Sequence, residues 1–434
     1  MLQIKIHRGA HTIGGTCIEV QSGNSRIILD LGLPLMGKGG TEIEEESLLN
    51  PSIANGILPN IEGLYKDQDK SVAAVLISHS HIDHYGLLNY LHPSIPVYMS
   101  NGSLAMVEVG KVFYPEKNKI YASNIQTFDH WKRFEIGPFK ITSYLADHSG
   151  FDASSFLIEA EGKKIFYTGD FRGHGRKSKV LDILTAKPIQ SVDCLLMEGT
   201  TLGGNHNVGF NTEDAVEDKL NEIFLKQKDT SFVMASGSNV DRLVSIYKAA
   251  LRNKKTLVLD LYTYYVLEQL KTITPSLPPH KNDNVKILYL KGHADAIAEN
   301  IGKDTLYSYM NRKIGVDEIV ANRENMVLKL PISGMRKVAA KLIKQHPLNQ
   351  AKFIFSMWSG YLAKDSCYND FCEKYKTELQ TVHVSGHAYL SDLKRLTEAL
   401  KPKKLIPIHT LTGDDFDKYF DNVVRIEDGE DLSI

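Results

Sequence analysis

Residues 78–86 read SHSHIDHYG and place three histidines and one aspartate between positions 79 and 84. The preceding run VAAVLIS, residues 72–78, is continuously apolar, which is typical of a strand buried on both faces. His79 and His81 are two positions apart, so their side chains point the same way while the chain remains extended. Asp83 and His84 follow where the chain turns into GLLNYLH, which we expect to be helical. A strand-to-helix turn is therefore predicted to gather four polar side chains.

The types of these side chains indicate a metal site. Imidazole and carboxylate without thiolate suit zinc or a similar divalent ion in a hydrolytic centre. Crowded imidazoles repel one another when protonated and gain nothing structurally without a metal, so ordinary packing is the weaker interpretation. Further candidate ligands stand at predicted strand ends: Asp30, His148, Asp170 and His409. This total exceeds the demand of one ion and favours two metals that share a bridging carboxylate.

Composition narrows the class of protein. The chain has 434 residues, 42% hydrophobic and 24% charged, as expected for a soluble protein of two to three domains. Its net charge of −1 argues against a generally basic nucleic-acid binder, so any positive field is local or comes from metal. We find no signal-peptide core and no 18-residue apolar run, and expect no membrane span. The four cysteines form no CxxC pair, which favours a reduced, cytoplasmic protein.

Strands alternate with helices along the chain, which predicts an α/β protein with layered sheets. The segments HSHIDH, LDLG, ADHS and YTGD resemble, in order, the motif series of the metallo-β-lactamase fold. This resemblance implies an αββα sandwich. It also implies one zinc on His79, His81 and His148, and a second on Asp83, His84 and His409. Asp170 would bridge the two ions, and Asp30 would orient the histidines from behind.

Two later segments resemble the β-CASP nuclease group of that fold. MEGT at 197–200 provides the acid Glu198, and VHVSGHAYLSDLKRLTEALKPKKLIPIHT at 382–410 provides His387 and His409. The second segment is most similar to ribonuclease J-like proteins. The resemblance implies an inserted α/β domain, which agrees with a change to regular strand–helix alternation after Glu198. We therefore expect a metallo-β-lactamase domain at 1–205 and 385–434, with a β-CASP insertion at 206–384.

Candidate substrate contacts are weaker predictions. Ser238 and Asn239 precede a helix whose amino terminus could hold phosphate, or they merely cap it. His383 and Ser385 could add phosphate contacts, or be structural. FRGHGRKSK, residues 171–179, supplies Arg172 and Arg176 for a polynucleotide backbone, although such a run is more often a solvated surface.

The leading hypothesis is a two-zinc hydrolase of RNA phosphodiester bonds, with manganese as the alternative ion and single-stranded RNA as the substrate. The catalytic candidates are Asp83, Asp170, Glu198 and His387, with His387 protonating the leaving oxygen or stabilising the phosphate. The rival hypotheses are a hydrolase of DNA or of a small ester or phosphodiester, and a non-catalytic metal-binding scaffold. An oligomer is compatible with the resemblance.

The sequence also departs from ribonuclease J. It lacks the Gly-Ser-Gln-Gly-Glu-Pro segment typical of that enzyme. The chain ends about one strand after His409, so we expect the carboxy-terminal dimerisation domain to be missing. These departures bear on exonuclease activity and assembly, and not on the metal ligands.

Overall fold

The apolar run before the histidine cluster forms strand Ala74–Leu76 in the computed structural model. The model describes residues 1–37, 40–203, 210–281, 283–345, 347–348, 350–364, 367–377 and 379–434. The expected domain boundary at 205/206 lies outside these residues. Two compact units are present. The first comprises Met1–Val107, Pro115–His206 and Gly386–Ile434, and the second comprises Glu108–Tyr114 and Asn207–Ser385.

Two sheets build the first unit. The first sheet contains β1 (Leu2–Arg8), β2 (Cys17–Ser22), β3 (Ser25–Leu29), β4 (Ala74–Leu76), β5 (Val97–Ser100), β6 (Ile125–Phe128) and β20 (Asp431–Ser433), in the order β20-β1-β2-β3-β4-β5-β6. The second contains β7 (Arg133–Ile136), β8 (Phe139–Leu145), β9 (Ser154–Ala160), β10 (Lys163–Tyr167), β11 (Cys194–Glu198) and β19 (Lys404–Ile408), in the order β19-β11-β10-β9-β8-β7. Strands β3 to β6 run parallel, as do β10, β11 and β19.

Alternation along the strands explains the layers. Ile27 and Leu29 of β3 join the core between the two sheets, whereas Ile28 joins a separate core on the outer face. In β11, Leu196 faces the central core and Leu195 faces the outer core of the second sheet. Strands buried on both faces need an unbroken apolar run, and VAAVLIS at 72–78, which contains β4, is such a run.

Helices cover both outer faces, so the predicted αββα sandwich is confirmed. The helices of this unit are α1 (Glu45–Leu49), α2 (Ile82–Tyr85), α3 (Asn101–Phe113), α4 (Lys179–Ala186) and α14 (Leu390–Leu400); part of α3 belongs to the second unit. Leu181 of α4 and Leu393 of α14 pack in the outer core of the second sheet. Val107 of α3 packs in the outer core of the first sheet.

A parallel sheet forms the centre of the second unit. Its strands are β12 (Ser231–Met234), β13 (Thr256–Asp260), β14 (Val285–Leu288), β15 (Lys313–Ile314), β16 (Met326–Lys329), β17 (Lys352–Phe355) and β18 (Leu379–Thr381), in the order β15-β14-β13-β16-β12-β17-β18. Its helices are α5 (Glu213–Leu225), α6 (Val240–Arg252), α7 (Leu261–Leu270), α8 (Lys291–Asn300), α9 (Lys303–Ser308), α10 (Val316–Ala321), α11 (Ile332–Leu342), α12 (Gly360–Lys364) and α13 (Cys367–Tyr375). Among the described residues, no helix is long and apolar enough to cross a bilayer.

Candidate metal centre

The polar residues predicted at strand ends of the first unit converge. Each follows or ends a strand, because the buried side chains of the strand supply the core and the next few residues emerge at the sheet edge. Asp30 follows β3, His79 and His81 follow β4, His148 follows β8, Asp170 follows β10, Glu198 ends β11, and His409 follows β19. Helix α2 contributes Asp83 and His84, and His387 precedes α14. All belong to the first unit.

Three imidazoles form the first cluster. His81 Nδ1 lies 3.0 Å from His79 Nε2 and 3.1 Å from His148 Nε2. Ligand atoms of the three residues all lie within 4.8 Å of one another. This is the set that the resemblance assigns to one ion.

A second cluster combines imidazoles with carboxylates. His84 Nε2 lies 3.1 Å from Asp170 Oδ2, and His409 Nε2 lies 3.4 Å from Asp83 Oδ2. Asp170 Oδ2 is also 3.7 Å from His79 Nε2, so the Asp170 carboxylate lies beside both clusters. That placement is the one that a bridging ligand requires.

Oxygen acceptors behind the cluster determine which histidine nitrogens face inward. Gly386 O lies 2.7 Å from His148 Nδ1, and because a carbonyl only accepts, His148 donates from Nδ1. His84 Nδ1 donates in the same way to Asp30 Oδ2 at 2.7 Å. In both residues Nε2 remains available toward the cluster, as metal-binding imidazoles require.

The electrostatics of the cluster suit cation binding. Burial, followed by the neighbouring imidazoles, lowers the pKa of His79 and His148 well below its ordinary value, and burial lowers the pKa of His81 to about 4. Burial alone would raise the pKa of Asp83, but His84 and His409 lower it to about 2. Neutral imidazoles and ionised carboxylates are the forms that ligate metals.

His84 behaves differently from the other imidazoles. Burial disfavours its charged form, but Asp170, Asp30 and Asp83 together raise its pKa well above the ordinary value. Its Nε2 is buried, and within the described part of the chain no group hydrogen-bonds to that atom in suitable geometry. The carboxylates that favour a proton there equally favour a cation, so the donor set fits a divalent metal.

Glu198 and His387 lie at the border of the cluster. His387 Nδ1 is 3.4 Å from Glu198 Oε2 and 3.7 Å from Asp170 Oδ2. The Glu198 carboxylate accepts from the backbone N–H groups of Phe171 and Thr200, both at 3.1 Å. Burial opposes the charge on His387, but Glu198 and then Asp170 raise its pKa to about 9. Asp170, Glu198, His387 and His409 also form a group able to hold a metal.

The prediction for Arg172 is wrong. This guanidinium is 1% exposed, and its Nε lies 3.5 Å from Asp147 Oδ1. Asp147 Oδ2 also accepts from Gly175 N at 2.7 Å. Arg172 thus ties together the loops that bear His148 and Asp170, because a buried charge needs a buried partner more than it needs solvent. Arg176 is half-buried, and its contact with a polynucleotide stays a prediction.

The other candidate phosphate contacts belong to the second unit. Asn239 Oδ1 accepts from Arg242 N at 3.1 Å and so caps α6, which is the alternative interpretation of that stretch. Ser238 Oγ lies 2.8 Å from Ser236 Oγ. His383 Nδ1 lies 3.3 Å from Arg242 Nη1, and Ser385 is half-buried. Phosphate binding by these residues stays a prediction.

Sequence reasoning missed several residues that fix the ligands. Thr200 Oγ1 lies 2.8 Å from His409 Nδ1, and Tyr167 donates its hydroxyl hydrogen to Asp30 Oδ2 at 2.5 Å. The carbonyl of Gly386 is a third example. All three lie inside motifs that the sequence had already marked, MEGT, YTGD and HVSGHA, but nothing in their spacing distinguishes a supporting residue from its neighbours.

Family models match two stretches of the chain, each lying mostly in the first unit. Residues 48–218 match a beta-lactamase superfamily domain, and residues 374–421 match a Zn-dependent metallo-hydrolase RNA specificity domain. A solved structure of an Enterococcus faecalis V583 protein of unknown function has a TM-score of 0.77, with 21% sequence identity and 99% of each chain covered. That likeness concerns the fold.

Curated relatives share the name ribonuclease J. The Mycoplasma genitalium protein is 25% identical over 413 residues, which cover 92% of this chain and 66% of the relative. A Helicobacter pylori ribonuclease J is 22% identical over 414 residues, 92% of this chain and 55% of the relative. An RNase J-like protein of Methanocaldococcus jannaschii is 28% identical over 209 residues, 46% of this chain and 43% of that protein. The chain thus spans less than two thirds of the length of these relatives.

Proposed function

The chain belongs to the ribonuclease J-like β-CASP group of the metallo-β-lactamase superfamily, and from that premise we propose that it is a metal-dependent hydrolase of RNA phosphodiester bonds. The observation that carries the proposal is the pair of ligand clusters flanking the Asp170 carboxylate. Two neighbouring cation sites suit phosphodiester hydrolysis, in which charge develops on both the attacking and the leaving oxygen.

The proposed ligands divide between two ions. His79, His81 and His148 would hold one, Asp83, His84 and His409 would hold the other, and Asp170 lies where it could serve both. We propose zinc, with manganese as the alternative. When bound, such ions acidify water and neutralise a phosphate. The remaining steps depend on side chains of the chain itself.

His387 is the proposed proton donor to the leaving oxygen. Its raised pKa, about 9, keeps the imidazole protonated at neutral pH, and nearby cations would lower that pKa toward neutrality. Glu198 faces His387 Nδ1 and so holds the ring with its other nitrogen, Nε2, directed elsewhere. Since three backbone N–H groups, those of Phe171, Thr200 and Ala388, donate to Glu198, its carboxylate is a rigid support.

The substrate and setting are also proposals. A metal centre supplies positive charge where the chain as a whole has a net charge of −1, which allows a nucleic acid to bind without a basic surface. We propose single-stranded RNA as the substrate, with the segment 206–384 as the inserted β-CASP domain. We also propose a cytoplasmic location, which the four free cysteines favour, and self-association stays a prediction.

The deciding experiment compares single-stranded RNA and DNA of one sequence, each 5′-labelled, in the presence of zinc or manganese. We expect the wild type to cleave RNA and His84→Ala to leave it intact. His92→Ala is the matched control, because His92 pairs with Ser94 outside the cluster. Cleavage of DNA alone would identify a DNA nuclease. Metal binding without cleavage of either polymer would identify a scaffold or a small-substrate hydrolase. Either outcome, cleavage of DNA alone or no cleavage at all, would overturn the proposal.

A further inference from the structure

Four donors hold the Asp30 carboxylate. Asp30 is fully buried after β3 with φ of +58°, in the left-handed region that few non-glycine residues adopt. Its Oδ1 accepts from Ser78 N at 2.6 Å. Its Oδ2 accepts from Ser78 Oγ at 2.7 Å, from Tyr167 OH at 2.5 Å and from His84 Nδ1 at 2.7 Å. The carboxylate is therefore fixed in position and in plane.

Tyr167 reaches Asp30 across the sandwich. Its ring lies in the core between the sheets, parallel to that of Phe156, with ring centroids 6.5 Å apart. Asp30 directly follows β3 of the first sheet and Tyr167 ends β10 of the second, so the hydroxyl joins the two sheets at their common edge. Phenylalanine would fill the same apolar space, which leaves the hydrogen bond as the function of the hydroxyl.

The chain of contacts continues to the metal ligands. Asp30 orients His84 through Nδ1, and His84 presents Nε2 beside Asp170, which is three residues after Tyr167. The Tyr167 hydroxyl therefore connects Asp30, which supports the ligand His84, with strand β10, which leads to Asp170. We propose that Tyr167 is a positioning residue of the metal centre, which acts through Asp30 on the orientation of His84.

This inference rests on the proposed metal function, but its test does not need catalysis. Tyr167→Phe removes only the hydroxyl. Tyr65→Phe is the matched control, because Tyr65 is also a buried tyrosine whose hydroxyl donates to one oxygen, that of Pro59, at 2.5 Å within a different core. Zinc affinity is measured by competition with a chromogenic chelator, and the unfolding of the metal-free proteins is measured in urea.

We expect Tyr167→Phe to weaken zinc binding about 10-fold or more, the range found for residues that support ligands, while Tyr65→Phe leaves it unchanged. The two variants should lose similar stability, because each loses one buried hydrogen bond. Equal zinc affinities in both variants would overturn the inference. A wild-type protein that binds zinc but cleaves no RNA would overturn the proposed function. If Tyr167→Phe still weakened zinc binding in that case, the inference about Tyr167 would be supported.

A double-mutant cycle with Asp30→Asn tests the route of the effect. If Tyr167 acts through Asp30, Tyr167→Phe should change zinc affinity less than about twofold in the Asp30→Asn background, since coupled residues are non-additive. A full additional loss there would show that Tyr167 acts independently of Asp30. A wild-type protein that binds no zinc or manganese would overturn both the inference and the proposed metal centre.

Discussion

Each unit of the molecule buries a group of ionisable side chains, and the two groups are built differently. In the second unit, Arg242 and Glu213 are both fully buried and form a two-pronged ion pair, with distances of 2.8 Å and 3.0 Å. In the first unit, histidine nitrogens face one another and two carboxylates across gaps of 3.0–3.7 Å. The Arg242–Glu213 pair compensates its own charge. The histidine and carboxylate cluster of the first unit has acceptor atoms in excess, and a cation would compensate them.

The largest effect should come from the residue beside both clusters. Asp170→Asn keeps the shape of the side chain but removes the negative charge, so we expect RNA cleavage to fall by about 10³-fold or more and the bound zinc to decrease. Metal content is measured by elemental analysis. Asp260→Asn, which alters a buried carboxylate at a strand end of the second unit, should leave the zinc content unchanged. Equal metal loss in both variants would refute the contrast between the groups.

A smaller effect is expected at the border of the cluster. His387→Ala should lower the cleavage rate by about 10²-fold, the lower range for loss of a proton donor, with unchanged zinc content. Rate and metal content are measured on the same preparation. Loss of metal together with activity would instead make His387 a ligand, within the group that it forms with Asp170, Glu198 and His409.

The self-compensated pair should matter for stability alone. Glu213→Gln leaves Arg242 buried without its charge partner, which costs about 3 kcal/mol in comparable cases. The chain has two tryptophans, Trp131 in the first unit and Trp358 in the second. In a Trp131→Phe background, Trp358 fluorescence therefore reports urea unfolding of the second unit.

The same helix offers a control for that measurement. Glu222 of α5 is exposed and pairs with Lys219 and Lys226, so Glu222→Gln should shift the transition much less. Zinc affinity should be unchanged in both variants. A Glu213→Gln protein as stable as Glu222→Gln would mean that the buried pair is not needed.

The smallest effect concerns the basic loop after Asp170. Arg176→Ala should weaken RNA binding about threefold and reduce its salt dependence by about one unit of slope, as expected for the loss of one phosphate contact. Arg172→Ala should instead destabilise the fold, because it removes a buried ion pair with Asp147. Binding is measured by fluorescence anisotropy at several salt concentrations. An unaltered salt slope for Arg176→Ala would remove this loop from the RNA-binding surface.

Most of the site was accessible from sequence because strand ends are local features. An apolar run that ends in histidine or aspartate identifies both the strand and the residues that leave it, as at Ile408 and His409. The αββα layer order came from the resemblance, whereas strand–helix alternation alone predicted only an α/β protein with layered sheets. The role of Arg172 could not be predicted from the sequence. The composition of its loop is typical of a solvated surface, and its partner Asp147 lies 25 residues earlier in the chain.

The sequence by itself determined the donor atoms, their placement after strands and the α/β architecture, because residue type and the period of a strand are properties of neighbouring positions. Only the tertiary structure decided which groups are partners. Asp30 and Tyr167 are 137 residues apart, and His148 and Gly386 are 238 apart. Hydrogen bonds across such separations depend on how the two sheets pack, and no pattern within one strand contains that information.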